Sequence, residues 1–351
     1  MSLKGDKPMT GAINPHMIVL AREARGLTQS ELAEKIGMSP TNLSKIERSD
    51  IGIQQDVLET ISEVTLYPPQ FFSQPGSIIP ENLSYRKRSH VAQKLLTPIN
   101  AKANIIRNHI QFLTGALEVN ATELPVIPVT EKMSPTQIAN KLRHQWKLDT
   151  PVIHNLIRVL EDHGVIISSF DFGTERVDSR SILTEEKHPI ILFNSTLLGD
   201  RQRFSLAYEL GQLIMHTFVQ VPLERDISRE ANEFAAELLM PAKAISEDFK
   251  NGISVPLLGE LKRKWKVSMI ALLYRADDLG FLTANQKRYL LQQFNQLKIR
   301  RREPIELDVP TEQPSIVRKW IADFRNKHKL GVMEMAAILC INVDEFMELY
   351  L

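Results

Sequence analysis

Glu209 is the residue around which this sequence could do chemistry. It lies in RFSLAYELGQLIMH, residues 203–216, in the order Tyr208-Glu209-x-x-Gln212. In a helix of the His-Glu-x-x-His kind the two histidines are four residues apart. At about 3.6 residues per turn they lie on one face and can share one Zn²⁺. The glutamate then takes a proton from the metal-bound water. Here tyrosine and glutamine stand at both ligand positions. A neutral phenol, with a pKa of about 10, and a carboxamide are poor zinc ligands beside imidazole. The spacing predicts the helix, while the residue types predict no bound zinc and no other cofactor.

Such a helix needs a second one to complete a site, and the sequence supplies it in SREANEFAAELLMP, residues 228–241. The two segments together resemble the ImmA/IrrE family, in which RFTLAHELGHLLLH-like and EANxFAAxLLMP-like helices build the site. The resemblance implies that Tyr208 and Gln212 occupy the family's histidine-ligand positions. It places Glu209 at the catalytic glutamate and Glu230 at a third ligand. His216 matches the histidine that closes the family's helix and is not expected to bind metal. Leu206, Leu210, Leu213 and Ile214 follow helical spacing and would fill a core in any case. Tyr208 and Gln212, one turn apart, are both hydrogen-bond donors, and carboxylates left without a cation need donors. A cluster of Tyr208, Gln212 and Glu230 is therefore expected in the metal's place, tying the two helices together.

A second constellation lies in MIVLAREARGLTQSELAEKIGMSPTNLSKIERSD, residues 17–50. Thr28 followed by Glu31 makes a capping box for a helix over residues 29–36, and Gly37 ends it. Ser39 caps the next helix, with Pro40 at its first position, where a missing N–H costs nothing. Leu32, Ala33, Ile36, Leu43 and Ile46 supply the apolar faces between the two. This is helix-turn-helix grammar, and it resembles the Cro/C1-type (XRE) DNA-binding family. The resemblance implies that residues 39–48 enter the major groove of double-stranded DNA. The DNA-binding residues are then Gln29, Ser39, Thr41, Asn42 and Lys45. Thr41, Asn42 and Lys45 face the bases: Asn42 suits adenine, and Lys45 suits guanine or a phosphate. Gln29, at a helix start, suits a backbone phosphate. Glu47 reads as a pairing residue inside the domain. The competing use of such a hairpin is protein contact, with its polar residues solvated.

The rest of the chain must carry and connect these parts. Residues 74–80, rich in proline and glycine, read as a linker. A basic cluster of Arg86, Lys87 and Arg88 reads as solvated surface or as added phosphate contacts. An amphipathic helix is expected from about Thr97, with Ile99, Ala103, Ile106, Ile110, Leu113 and Leu117 on one face. It either packs on its own domain or forms a dimer seam. From Val126 onward come a helix capped by Ser134, another after Pro151, and short strands at residues 165–167 and 188–194. His144, His154 and His163 do not pair at metal spacing and read as surface or supporting histidines. Residues 315–351 hold a loosely helix-turn-helix-shaped pair without a recognition helix, read as a cap or partner surface. The expected fold class is mainly α, of α+β character, in five stretches. They are a flexible tail (1–13), an all-helical helix-turn-helix domain (14–73), and a linker with a long helix (74–125). A zincin-like, peptidase-like domain with a small sheet (126–283) and a C-terminal helical module (284–351) follow.

Lys plus Arg number 43 against 42 Asp plus Glu, a net charge of +1, so any nucleic-acid surface must be local. A single cysteine, Cys340, excludes an intramolecular disulfide and a cysteine-based zinc cluster. No signal segment or membrane-length apolar stretch is read, so a cytoplasmic protein with no membrane partner is expected. The two resemblances imply a sequence-specific transcriptional regulator, a homodimer on double-stranded DNA. Its peptidase-like domain, catalysis lost, would serve as a sensor or docking site for a protein or small-molecule effector. Two other readings use the same residues. One is an active metallopeptidase that cleaves a repressor, with Glu209, Glu230 and His216 as available ligands. His216 lies seven residues from Glu209, roughly 10 Å along a helix, too far to share one ion without rearrangement. The other is an antitoxin or immunity protein that binds its partner directly.

Overall fold

The computed structural model describes residues 12–79, 85–87, 91–122, 124–222 and 224–351. Most of the expected tail, and Arg88 of the basic cluster, lie outside the described residues. Asn14 caps α1 (Pro15–Ala24). Thr28 and Glu31 close both halves of the capping box on α2 (Gln29–Lys35). Gly37 turns the chain at φ 67, a conformation that costs glycine least. The Ser39 hydroxyl then caps α3 (Pro40–Glu47). α4 (Gln55–Thr65) ends on Leu66 in the left-handed region, which throws that side chain outward, 64% exposed. Met17, Leu20, Leu32, Leu43, Leu58 and Ile61 are buried and hold the four helices together.

Next come a three-residue strand, β1 (Tyr85–Lys87), and the long helix α5 (Gln93–Ala116). The helix starts about one turn before Thr97, with Pro98 inside it. Buried Leu96 draws that extra turn onto the core. After α5 come α6 (Pro135–Gln145) and α7 (Leu156–Asp162). Three strands follow: β2 (Ile166–Phe170), β3 (Val177–Leu183) and β4 (Pro189–Asn194). The sheet order is β1-β3-β4-β2. β2 and β4 are parallel, with Ile166 opposite Ile190. β3 runs antiparallel to β4 and to β1. The expected two strands are thus four among the described residues. β3 was not expected because Asp178, Ser179, Arg180 and Ser181 give it no apolar alternation, yet all four are buried.

Helix α8 (Gly199–Met215) packs on this sheet, and α9 (Ile227–Leu239) packs on α8 and α6. Helices α8 and α9 approach closely at Gly211, where an added Cβ would meet the Phe234 ring at 2.8 Å. α10 (Ala242–Phe249), α11 (Val255–Trp265), α12 (Met269–Asp278) and α13 (Ala284–Gln296) complete this half. Buried Lys262 on α11 pairs with Asp200 and Glu303, pinning residue 303 to the start of α8. The chain closes with α14 (Ile316–His328), α15 (Val332–Ile338) and α16 (Val343–Tyr350).

The chain divides into two compact units, each with its own core. Unit 1 comprises Met1–Leu83, His90–Asn120 and Val317–Leu351; unit 2 comprises Ser84–Ser89 and Ala121–Ile316. The stretch read as one C-terminal module, 284–351, is therefore shared between them. Residues 284–316 belong to unit 2, where the Glu312 carboxylate pairs with buried Arg203 and accepts from the Ile157 N–H. α14 to α16 belong to unit 1. There Glu345 of α16 receives Arg25 at 2.8 Å and the Tyr67 hydroxyl at 3.2 Å, and Tyr350 meets His109 at 2.7 Å. On the apolar face of α5, Ile99, Ala103, Ile106, Ile110 and Leu113 are buried, and α5 packs on α1. No helix of the described residues is long and apolar enough to cross a membrane.

Candidate functional site

Within unit 2, α8 and α9 are joined by a relay of side-chain hydrogen bonds at the position where the sequence motif implies a metal. Tyr208, 2% exposed, bonds through its hydroxyl to Ser228 at 3.3 Å. Gln212 donates its amide to the same hydroxyl at 3.1 Å. The Gln212 carbonyl oxygen faces His216 Nδ1 at 2.9 Å, and His216 Nε2 meets Glu230 at 2.7 Å. Arg225 closes the chain with a two-pronged grip on the other Glu230 oxygen, at 2.8 and 2.6 Å. The direct cluster of Tyr208, Gln212 and Glu230 that was expected does not form. Tyr208 and Gln212 bond each other, but Glu230 joins them through His216 rather than directly. One turn of helix brings residues 212 and 216 together, and the imidazole supplies the length that carboxylate and carboxamide lack.

Two acceptors, Gln212 Oε1 and Glu230, face the two nitrogens of His216. In that arrangement both nitrogens carry protons. Turning the Gln212 amide over makes its NH₂ donate to Nδ1, and a neutral ring then donates only to Glu230. Burial lowers the His216 pKa from its ordinary value, against the pull of Glu230.

Glu209 points away from this relay, into the sheet. It is 0% exposed; one carboxylate oxygen accepts from the Ser179 hydroxyl at 2.8 Å, and among the described residues no well-formed hydrogen bond reaches Oε2. Burial pushes its pKa up to about 7, against the Ser179 and Ser181 hydroxyls and the charge and backbone of Arg86. A carboxyl so enclosed keeps its proton well above the ordinary carboxylate range and shares it near neutral pH. Arg86 of β1 covers the approach. It donates to Ser205 at 3.0 Å, lies over the Phe204 and Tyr208 rings at 4.6 and 5.4 Å, and stands 4.0 Å from Asp178. The cluster read as solvated or phosphate-binding therefore has its Arg86 member built into unit 2. Arg86, Phe204 and Tyr208 border an open cleft of about 1750 Å³, with Lys298, Arg300 and Arg301 also on its wall.

The donor set does not fit the zinc that the motif implies. The Tyr208 hydroxyl and both ends of the Gln212 amide are committed to neighbours, and each Glu230 oxygen is held by a nitrogen donor. Among the described residues no three His, Cys, Asp or Glu converge at metal spacing. The structure also brings in Ser179, Ser181, Arg86, Arg225 and Ser228, none of which the sequence singled out for the site. Arg225 and Ser228 had a signal, since both flank the start of α9.

The helix-turn-helix residues divide into two groups. Thr41, Asn42 and Lys45 are exposed on α3. Ser39 spends its hydroxyl on capping, accepting the Asn42 N–H at 3.2 Å. Gln29, assigned to a phosphate, instead donates its amide to Glu47 at 2.6 Å. Glu47 is also gripped by buried Arg22 at 2.6 Å, so the Gln29 carboxamide is half of an internal network. What remains at the start of α2 for a phosphate is the helix end itself.

Residues 160–277 match the family described as IrrE N-terminal-like domain, and residues 18–72 match the helix-turn-helix family. Over 102 residues the chain is 32% identical to the radiation response metalloprotease IrrE of Deinococcus radiodurans. That match covers 26% of this chain and 31% of the relative, so the chain spans about a third of the curated relative it matches.

Proposed function

We propose that this chain, which joins an XRE-type helix-turn-helix domain to an IrrE/ImmA-like domain, is a sequence-specific transcriptional regulator. In this reading its IrrE-like domain no longer performs metal-assisted hydrolysis and serves as a docking or sensing site. The observation that carries it is the relay from Ser228 through Tyr208, Gln212 and His216 to Glu230 and Arg225. Side chains that would have to open onto a metal are used to bond each other, and Glu209 is enclosed beyond reach of a substrate. The metalloprotease activity in the relative's name is not carried over to this chain. DNA is read by Thr41, Asn42 and Lys45 on α3, in the cytoplasm and as a homodimer. The site is then an inverted repeat with half-site centres about 10 bp, or a multiple, apart.

Selection of bound fragments from random DNA tests the regulator half, with an inverted repeat as the expected product. Elemental analysis of the purified protein, beside a proteolysis assay on proteins from the same cell, tests the other half. Stoichiometric zinc with cleavage that Glu209→Gln abolishes would overturn it.

A further inference from the structure

The last three helices repeat the first three. α15 and α16 have the lengths of α2 and α3, seven and eight residues, and four residues separate each pair. The correspondence holds at a constant spacing of 303 residues, 332 against 29 and 343 against 40, with α14 in the place of α1. Gly26 and Gly37, at φ 69 and 67, recur as Lys329 and Cys340 in the same left-handed region, at φ 56 and 55. The Ser39 hydroxyl accepts the Asn42 N–H at 3.2 Å, and the Asn342 side-chain oxygen accepts the Glu345 N–H at 2.8 Å. Arg22 donates to the Leu27 carbonyl at 2.9 Å, as Arg325 does to that of Leu330 at 3.3 Å. Ile18, Leu32, Ala33 and Leu43 are buried, and so are Ile321, Met335, Ala336 and Phe346. Turns, caps and core positions that match without an insertion make residues 316–351 a second helix-turn-helix frame.

α16 thus lies where a reading helix would. At the places of Thr41, Asn42 and Lys45 it carries Asp344, Glu345 and Glu348. Carboxylates there repel a phosphate backbone. Glu345 has partners of another kind, in the first helix-turn-helix. Its carboxylate receives Arg25 at 2.8 Å and the Tyr67 hydroxyl at 3.2 Å. Arg25 also donates to the Thr65 carbonyl at 2.6 Å and lies over the Tyr67 ring at 4.2 Å. Asn342 donates to the carbonyl of Leu66 at 3.4 Å, the residue that ends α4 in the left-handed region.

We infer that residues 316–351 are a second helix-turn-helix turned from reading nucleic acid to binding protein, with the first as its occupant. The face that would meet bases holds the ends of α1 and α4 through Glu345 and Asn342. The frame carries either use, and the residues on its last helix decide which. Charge-assisted bonds to a mostly buried carboxylate suit a lasting hold. Each chain then has one reading helix, α3, and covers one half-site, so a second half-site needs a second chain. The role of α3 rests on the DNA reading given above, whereas the hold on α1 and α4 does not.

The test uses full-length protein and two readouts. In hydrogen exchange without DNA, Glu345→Ala should speed exchange over residues 22–25 and 63–67 by about tenfold or more, with β2 to β4 unchanged. Arg25→Ala should do the same, and the double variant should add little to either single change. Unchanged exchange, an increase shared with β2 to β4, or full additivity overturns the hold. If Glu345→Ala fails to fold by circular dichroism, Glu345→Gln, which keeps an acceptor for both donors, decides by the same regions. On the selected operator, Asp344→Asn with Glu348→Gln should leave affinity within about twofold between 50 and 200 mM salt. Tightening by about tenfold or more would place α16 beside the phosphates and overturn the conversion. Exchange needs no operator, so a failed selection counts against the regulator reading while the hold is still decided.

Discussion

Glu209→Gln should make the protein more stable, and only above a certain pH. The Glu209 carboxyl is fully buried and its pKa is raised from the ordinary 4.5 to about 7. The folded state therefore holds a proton that the unfolded state has released between those two values. Stability from this group is whole below about pH 4.5 and is lost as pH rises through about 7. At about 1.4 kcal/mol per pH unit the loss amounts to roughly 3 kcal/mol by pH 8. Glutamine keeps the acceptor for Ser179 and cannot ionise, so it escapes that loss. His216 has a lowered pKa and works in the opposite sense, costing stability as pH falls below its ordinary range. It is present in both proteins and cancels in their difference. Urea unfolding in a Trp320→Phe background leaves Trp146 and Trp265 to report on unit 2. The variant and parent should coincide near pH 4 and separate by up to roughly 3 kcal/mol at pH 8, with DNA affinity unchanged. A difference that stays constant from pH 4 to pH 8 would refute the buried, proton-bearing glutamate.

Three further outcomes follow from the same geometry. Gln212→Leu strands the Tyr208 hydroxyl and His216 Nδ1, and urea titration should show a loss of about 1–3 kcal/mol; an unchanged midpoint would mean the relay carries no stability. Asn42→Ala should weaken binding to the selected operator by about 1–3 kcal/mol and relax preference at one base position, read by competition against single-base variants. Tyr208→His with Gln212→His should take up stoichiometric zinc only when Arg225→Ala also frees Glu230, as measured by elemental analysis after dialysis. Zinc uptake by the double variant alone would show that Arg225 does not hold Glu230 from the metal.

The parts of the site that were legible in the sequence are those fixed by local spacing. Tyr208, Gln212 and His216 fall one turn apart on a single helix, so their adjacency follows from helical geometry. The Thr28–Glu31 box and the Ser39 cap are likewise local and form as read. What spacing does not encode is which atom meets which across elements. Glu230 was assigned to Tyr208 and Gln212, but its partners are His216 and Arg225. Gln29 was assigned to a phosphate from its place at a helix start, yet Glu47, eighteen residues away, takes its amide. β3 carries its function in buried polar residues, which an apolar pattern cannot reveal. Arg86 looked like one of a run of surface cations because nothing in that run shows that the chain dips there to form a sheet edge.

The residues at the motif's ligand positions and the enclosed glutamate belong to one arrangement. A glutamate that serves a metal-bound water must be ionised and face that water. Without the metal, an ionised carboxylate between α8 and β3 would be a buried charge with too few donors, and its cost appears as the raised pKa. Enclosing it as the neutral acid removes that cost, and it requires that the approach be closed, which Arg86 and β1 do. The relay ties α8 to α9 and is anchored at its far end by the Arg225–Glu230 pair. Replacing Tyr208 and Gln212 by histidines addresses only the tie. Glu209 would remain behind Ser179 and Arg86, so a zinc-binding variant made in this way should hold its metal without hydrolysing peptides.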